Sequence, residues 1–274
     1  MPEGPEIKRA ADKIAKAISH QPLTDIFFAF DRLKRFEDTL AAATVIAVEP
    51  RGKALLTRFD NRLNIYSHNQ LYGLWMVRKA QSYPTTNRQL RLAIHTAKKS
   101  ALLYSASDIE VLWDDECDHH PFLSRIGPDV LSPDTTVQQV AQRLMEKAFY
   151  RRRLTTLLLD QQFLSGLGNY LRSEILFAAG VHPTLRPVDC TPAQIQQLAE
   201  QAIALPRQSY ETGGITNNLE RVALLKEQGL TRSKYRFYVF SRAAKPCYQC
   251  GTAIIKDQIG GRRCYYCPTC QVQP

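Results

Sequence analysis

No run approaching the roughly 18 consecutive apolar residues of a helical membrane span occurs in this chain, which argues against a helical membrane protein. Nor does a basic-then-apolar leader precede the first helical pattern, so export is not expected and the cytoplasm is the expected compartment. Cysteine is scarce over most of the length: only Cys117 and Cys190 lie outside residues 247–270, which hold the other five. That distribution argues against a disulfide framework and for a metal site near one end. Acidic residues are scarce where basic ones gather. Residues 221–274 carry ten Lys or Arg against Glu227 and Asp257 alone, whereas 108–118 carry six carboxylates and no Lys or Arg. With a formal charge of +10 so distributed, the C-terminal end is expected to face a polyanion. An apolar fraction of 44% over 274 residues fits a globular protein with a substantial core, and the length favours two domains with room for a small third unit.

The chain begins Met1-Pro2-Glu3-Gly4-Pro5-Glu6. Removal of Met1, which a small second residue permits, gives Pro2 a free secondary amine, a nucleophile. Attack of such an amine on a sugar C1′ yields an iminium whose positive charge needs no proton, and Glu3 stands beside it as a candidate acid. Ile7, Ala11, Ile14 and Ile18 form one stripe at helical spacing, which predicts a helix starting within the first turn after the motif. Its positive end disfavours an ammonium and leaves more free amine near neutral pH. The plainer alternative is that Pro2 and Pro5 only start a helix with acidic residues at its favourable end.

Short β-rich runs at 44–48, 54–59, 63–67, 74–77, 90–96 and 101–105, separated by turn residues such as Asp60-Asn61 and Lys98-Lys99-Ser100, predict hairpins stacked as a sandwich. Lys53 follows Arg51-Gly52 at the start of one run, and the glycine allows a bend that aims a strand-end lysine into a cleft, although most such lysines are surface residues. Between two apolar runs, His68-Asn69-Gln70-Leu71-Tyr72-Gly73 carries more than a turn needs. Leu71 and Tyr72 suit a wedge that fills a hole in a duplex, with Gln70 as an amide for an orphaned base; the alternative is that they cap the sandwich core. His119, His120 and Pro121 read as linker residues, since no third ligand stands at a recognisable spacing, and Gly127-Pro128-Asp129 as the way out of the sandwich.

Residues 133–206 turn helical: Ser132-Pro133 is a start signal, Val137, Val140, Ala141 and Leu144 form a stripe, and Thr191-Pro192-Ala193-Gln194 has the form of a capping box. Within this region Gly166 and Gly168 lie between an apolar helix end and a fresh helix at Asn169, where backbone N–H groups can approach a phosphate and Asn169 can cap the helix. Gly213-Gly214 and Asn217-Asn218 suggest a mobile loop, Val222 to Lys226 a helix, and Tyr235 to Phe240 a strand. Finally Cys247-x2-Cys250 and Cys267-x2-Cys270 are two knuckles for a tetrahedral zinc, with Cys264-x2-Cys267 an alternative register.

The opening hexapeptide, the Arg51-Gly52-Lys53 setting, the stretch from Leu157 to Tyr170 and the Cys-Pro-x-Cys-Gln ending together resemble the formamidopyrimidine-DNA glycosylase and endonuclease VIII family, and they frame nearly the whole chain. The resemblance implies a multidomain α+β fold: an N-terminal β-sandwich with a leading helix (1–125), a helical helix-two-turns-helix domain (126–234) and a four-cysteine zinc-ribbon hairpin (235–274). It implies a bifunctional DNA glycosylase and AP lyase of base excision repair, with Pro2 as Schiff-base nucleophile and Glu3, Lys53 and Glu6 as the other catalytic residues. Gln70, Leu71, Tyr72, Asn169 and Arg262 would contact DNA, and Cys247, Cys250, Cys267 and Cys270 would hold one zinc ion. Damaged double-stranded DNA is the implied partner, the protein acting as a monomer associated with the nucleoid. Gly4 and the contiguous Gln70-Leu71-Tyr72 are similar to the endonuclease VIII branch, which acts on oxidised pyrimidines. The rivals are an enzyme for oxidised purines and a catalytically silent DNA-binding relative.

Overall fold

The computed structural model describes residues 2–272; Met1, and with it the question of its removal, lies outside them. The chain divides into two compact units, Met1–Arg125 and Ile126–Pro274.

The first unit opens with α1 (Gly4–Ile18), followed by β1 (Leu23–Phe28), α2 (Asp31–Lys34), α3 (Glu37–Ala41), β2 (Val45–Arg51), β3 (Ala54–Phe59), β4 (Leu63–His68), β5 (Leu74–Lys79), β6 (Leu90–Thr96), β7 (Lys99–Tyr104), β8 (Asp108–Trp113) and α4 (Asp114–His119). Two four-stranded antiparallel sheets result, in the orders β1-β6-β7-β5 and β2-β3-β4-β8. Their inward side chains, including Phe28, Leu55, Ile65, Leu92, Ile94 and Leu103, share one core with Ile7, Ala11, Ile14 and Ile18 of α1. Each buried isoleucine on that stripe contributes about 1.5–3 kcal/mol, enough to hold the helix by its apolar face. Two strands, β1 and β8, and three short helices, α2, α3 and α4, escape the sequence pattern. β8 alternates acidic with apolar residues, and its Asp108 and Glu110 pair across to His68 and Tyr66 of β4. The expected turn at Lys98-Lys99-Ser100 starts earlier: Thr96 Oγ1 accepts the N–H groups of Lys98 and Lys99, so β7 already begins at Lys99. His120 is a correction to its reading as a linker residue. It is buried, its Nδ1 accepts the N–H groups of Phe122 and Leu123 at 3.2 and 3.3 Å, and its ring lies 4.4 Å from that of Tyr66.

In the second unit α5 (Val137–Leu144), α6 (Leu154–Leu157), α7 (Asn169–Ala178) and α8 (Pro192–Glu211) enclose a second core, followed by α9 (Leu219–Glu227), α10 (Arg232–Tyr235) and the hairpin β9 (Ile255–Ile259) and β10 (Arg262–Tyr266). The capping box at Thr191 forms, Thr191 Oγ1 accepting from Gln194 N at 3.2 Å and Gln194 Oε1 from Thr191 N at 2.9 Å. Ser132-Pro133 does not start a helix. Ser132 Oγ instead accepts from Asp134 N in a turn, and Thr136 with Gln139 caps α5 four residues later. The stretch suspected of mobility is tied down: Arg232 and Arg236 donate to the carbonyls of Gly213 and Gly214, and Thr216 and Asn217 are fully buried.

Tyr235 to Phe240 is not a strand. Tyr235 ends α10, and the last three N–H groups have another acceptor: Tyr238 N donates to Glu174 Oε2 at 2.7 Å, and Val239 N and Phe240 N to Glu174 Oε1 at 2.9 Å each. Thr216 Oγ1 adds a fourth donor to Oε2 at 2.5 Å. Burial pushes the Glu174 carboxyl up, and these four hydrogen bonds pull it back toward the ionised form. Because each oxygen accepts two donors, an amide fits poorly here. Glu174→Gln is therefore expected to lower the unfolding free energy of the second unit by about 2–4 kcal/mol despite its equal size, and Thr216→Val by about 1 kcal/mol. Denaturant unfolding of the two variants checks this, and an unchanged Glu174→Gln midpoint would contradict the cradle.

Candidate active site and DNA-binding elements

Pro2 is half-buried directly ahead of Glu3, which is the extended N-cap residue of α1 and 3% exposed. Glu6 Oε2 accepts the Glu3 N–H at 3.0 Å while its Oε1 accepts from Arg9 Nη2 at 2.9 Å. Glu6 thus fixes the backbone that carries Glu3, with Arg9 fixing Glu6 in turn.

Lys53 sits in the two-residue turn between β2 and β3, where Arg51 pairs with Ala54 and Gly52 takes a φ of +60°, a value that favours glycine. It is only 7% exposed, unlike an ordinary surface lysine. Ala54 is also paired with His68, so the lysine turn and the end of β4 lie side by side, and the Lys53 charge is felt at the His68 imidazole.

From His68 the chain enters the loop that joins the two sheets of the first unit. Gly73 N donates to Asn69 O at 2.7 Å, and a Cβ on Gly73 would lie 2.6 Å from the Asn69 backbone, so only glycine closes this turn. Gln70 adopts a φ of +49°, with its N–H donated to His68 Nδ1 at 3.0 Å and its Oε1 accepting from Ser107 Oγ at 2.8 Å. Leu71 and Tyr72 stand 55% and 68% exposed. They do not cap the core. A loop that holds a strained residue and two large apolar side chains in water is organised to present them.

In the second unit, α6 is followed by two turns leading into α7. Gln161 serves their interior, donating to the carbonyls of Leu159 and Leu167 and accepting from Gly166 N at 3.0 Å. Arg143 donates to the carbonyls of Gln162 and Phe163 at 2.7 Å each, and Asp160 joins Arg152 at 2.6 Å. Gly168, not Asn169, is the N-cap of α7, which corrects the capping role expected of Asn169. Asn169 occupies the first helical position, and its Oδ1 is buried without a hydrogen-bond partner among the described residues. Sequence reasoning missed Gln161 and Arg143, whose work is on main-chain groups and leaves no spacing signature.

β9 and β10 turn at Gly260-Gly261, both with positive φ, and Arg262 follows, exposed, opposite Ile259. β10 is docked on α7: Arg172 Nη2 donates to Arg263 O at 2.5 Å, and Ser173 Oγ accepts from Tyr265 N at 3.2 Å. The ligand atoms of Cys247, Cys250, Cys267 and Cys270 all lie within 4.8 Å of one another, a group that can hold a metal ion. Sulfur separations of 3.8 Å for Cys247 and Cys270 and 3.4 Å for Cys250 and Cys267 approach the ~3.8 Å spacing of four thiolates ~2.3 Å from a tetrahedral zinc. Hydrogen bonds with Thr252 bring the Cys250 thiol down to about 6. Cys264 is outside the group, buried beside Ser173 of α7.

Two family models match the sequence: the formamidopyrimidine-DNA glycosylase N-terminal domain over residues 1–107 and the H2TH domain of the same glycosylase over 126–220. The chain belongs to the formamidopyrimidine-DNA glycosylase family. It is 48% identical over 272 residues to an Endonuclease 8 of Escherichia coli and 47% identical over 271 residues to that of Shigella sonnei, covering 99% of this chain and all of each relative. Solved structures of the Lactococcus lactis formamidopyrimidine-DNA glycosylase share the fold, one bound to AP-site DNA and another to DNA containing an oxidised pyrimidine. Each has a TM-score of 0.81 at 20% identity, over 99% of this chain and all of that one. This glycosylase is accordingly an enzyme of the DNA glycosylase and AP lyase class with DNA as its partner. Among the described residues no helix is long and apolar enough to cross a membrane.

The loop geometry makes one prediction. Gln70 N can only donate, so His68 Nδ1 must be the unprotonated nitrogen. Burial first, and Lys53 after it, lower the His68 pKa below its ordinary 6.5, while Asp108 opposes them. A depressed pKa means that this contribution to loop order is complete above about 6.5 and is lost as pH falls through the lower folded value. NMR titration should place the imidazole below 6.5, with Gln70 amide protection falling alongside its protonation. A titration at or above 6.5 would contradict the assignment.

Proposed function

We propose that this glycosylase excises oxidised pyrimidines from DNA through a Schiff base at Pro2 and cuts the abasic strand by β,δ-elimination. The observation that carries the reading is a buried carboxyl group, that of Glu3, directly after Pro2 on main chain that Glu6 fixes. With its amine free, the Pro2 nitrogen attacks C1′ as the C1′–N glycosidic bond breaks, and the damaged base leaves with that bond's electron pair and the proton released by the Pro2 nitrogen. Glu3 donates a proton to the sugar ring oxygen, which opens the ring and leaves a C1′ iminium. The iminium acidifies the C2′ proton; its loss expels the 3′ phosphate, and a second elimination expels the 5′ phosphate. Lys53 assists at the neighbouring phosphate, and Asn169 and Arg262 hold the backbone. Gln70, Leu71 and Tyr72 fill the space the extruded base vacates.

The lesion class is supported by the 48% relative, an Endonuclease 8, and by the contiguous, exposed wedge. Oxidised pyrimidines that have lost planarity stack poorly, so part of the few kcal/mol needed for extrusion is already spent. Zinc is the assigned metal. It would be held by Cys247, Cys250, Cys267 and Cys270 and would supply the folding energy of the hairpin that carries Arg262.

Borohydride trapping on abasic DNA tests the chemistry. The form with a free Pro2 amine should give a covalent adduct at the N-terminus, and a form with an N-terminal extension should give none, its Pro2 nitrogen being an amide. Equal trapping by both would move the nucleophile elsewhere, Lys53 first. Single-turnover rates on matched duplexes should favour thymine glycol and dihydrouracil over 8-oxoguanine, with weak dependence on the opposite base; preference for 8-oxoguanine opposite cytosine would overturn the lesion class.

A separate expectation concerns the metal. Chelation, or Cys250→Ser, should disorder the hairpin and weaken DNA binding while the first unit stays folded, as circular dichroism and fluorescence anisotropy would read. Undiminished binding by metal-free protein would remove the hairpin from the interface.

A further inference from the structure

Beside the wedge loop the first unit has a groove of about 690 Å³ whose lining includes Tyr72, Asn87, Arg88, Gln89, Arg91 and Ser105. Two guanidinium groups, two side-chain amides and three hydroxyl side chains, those of Tyr72, Thr86 and Ser105, line it, and no carboxylate does. Arg88 Nη1 donates to the Tyr72 carbonyl at 2.5 Å, so the groove and the tip of the loop are mechanically joined. Arg91 lies with its guanidinium 5.1 Å from the centre of the Phe30 ring and donates through Nη2 to Gln89 Oε1 at 2.5 Å. Its Nε is buried without a hydrogen-bond partner among the described residues. Ser105, at the rim, holds a φ of +54° and donates its N–H to Gln89 O at 2.8 Å. Strain and an unsatisfied donor in one place are features expected of a binding site more than of a folded surface.

The topology says which anion this groove meets. The loop crosses from the sheet β2-β3-β4-β8 to the sheet β1-β6-β7-β5. Its first end, His68, adjoins the turn that carries Lys53, and its second end leads into β5 beside Tyr104 and Ser105. A wedge inserted in a duplex separates the damaged strand from its complement. The damaged strand must run past the catalytic lysine, so the opposite flank of the wedge meets the other strand. We propose that the groove around Arg88 and Arg91 binds a backbone phosphodiester of the strand complementary to the lesion. This deepens the reading of the wedge given above and rests on it. Guanidinium donors suit a phosphate, and its fixation prevents the complement from following the wedge out of register.

The test is affinity for a duplex containing a tetrahydrofuran abasic analogue, with a single neutral methylphosphonate moved along the complementary strand. In the wild-type protein one or two adjacent positions should cost about tenfold, as expected for a lost charge-assisted contact. In Arg88→Ala the duplex affinity should already be about tenfold lower and those same positions should cost nothing more, with the log–log salt slope smaller by about 0.9. Asn87→Asp, which places a negative charge in the groove without touching the Tyr72 carbonyl, should lower the ratio of duplex to single-strand affinity in the same direction. The proposal is overturned if complementary-strand methylphosphonates have no effect, or if their effect and that of Arg88→Ala multiply independently. It is likewise overturned if inorganic phosphate competes through Arg88 with no coupling to any strand position, which would make the groove a small-anion site. These binding readouts need no chemistry at Pro2. Failed trapping with intact methylphosphonate coupling would overturn the Schiff-base assignment alone, and the converse would overturn the groove alone.

Discussion

Four donors converge on the carboxylate of Glu174, three of them main-chain N–H groups more than sixty residues further along the chain, and the order of the second unit depends on that convergence. A buried ionised carboxyl is costly unless every lone pair is used, and here each oxygen accepts two hydrogen bonds. The two preceding residues of α7, Arg172 and Ser173, hold the main chain of β10. One turn of one helix therefore fixes the segment 238–240 and the hairpin that follows it, and the same helix begins at Asn169.

The first unit solves a different problem, that of holding a short loop open. Gln70 is kept in an unfavourable backbone conformation by an imidazole on one side and the Ser107 hydroxyl on the other, while Arg88 holds the carbonyl of Tyr72. Leu71 and Tyr72 remain exposed because the polar atoms around them are tied. In the proposed role of wedge, such a loop would meet a duplex with little ordering left to do, which preserves interaction energy for extrusion of the base.

Much of this was legible from sequence. The apolar stripe of α1, the runs that became β3, β4 and β6, the capping box at Thr191 and the paired cysteines are local patterns, and local patterns survive folding. Where the reading failed, partners distant in sequence had decided the matter. Tyr235 to Phe240 alternates as a strand does, yet the N–H groups of 238–240 go to Glu174; Asn169 has the chemistry of a cap, yet Gly168 takes the position. β8 was hidden by its acidic residues, and Gln161 by serving only main-chain groups. Cys264 offered a valid ligand spacing, and only pairing in β10 turned it toward α7.

The docking of β10 on α7 also bears on how the molecule is made. Arg172 and Ser173 find their hairpin partners 91 and 92 residues downstream, and Glu174 its partners 64 to 66 residues downstream. Until those segments are made, these groups have only part of their partners, Arg172 the Thr155 carbonyl and Ser173 the Asn169 carbonyl. A helix burying an arginine and a glutamate cannot complete its polar contacts until residues 238–265 have left the ribosome, so this face of α7 is satisfied late, whereas the apolar core drawn largely from residues 130–205 is synthesised earlier. A nascent chain that stalls before the hairpin would present this incomplete face of α7 to proteases and chaperones.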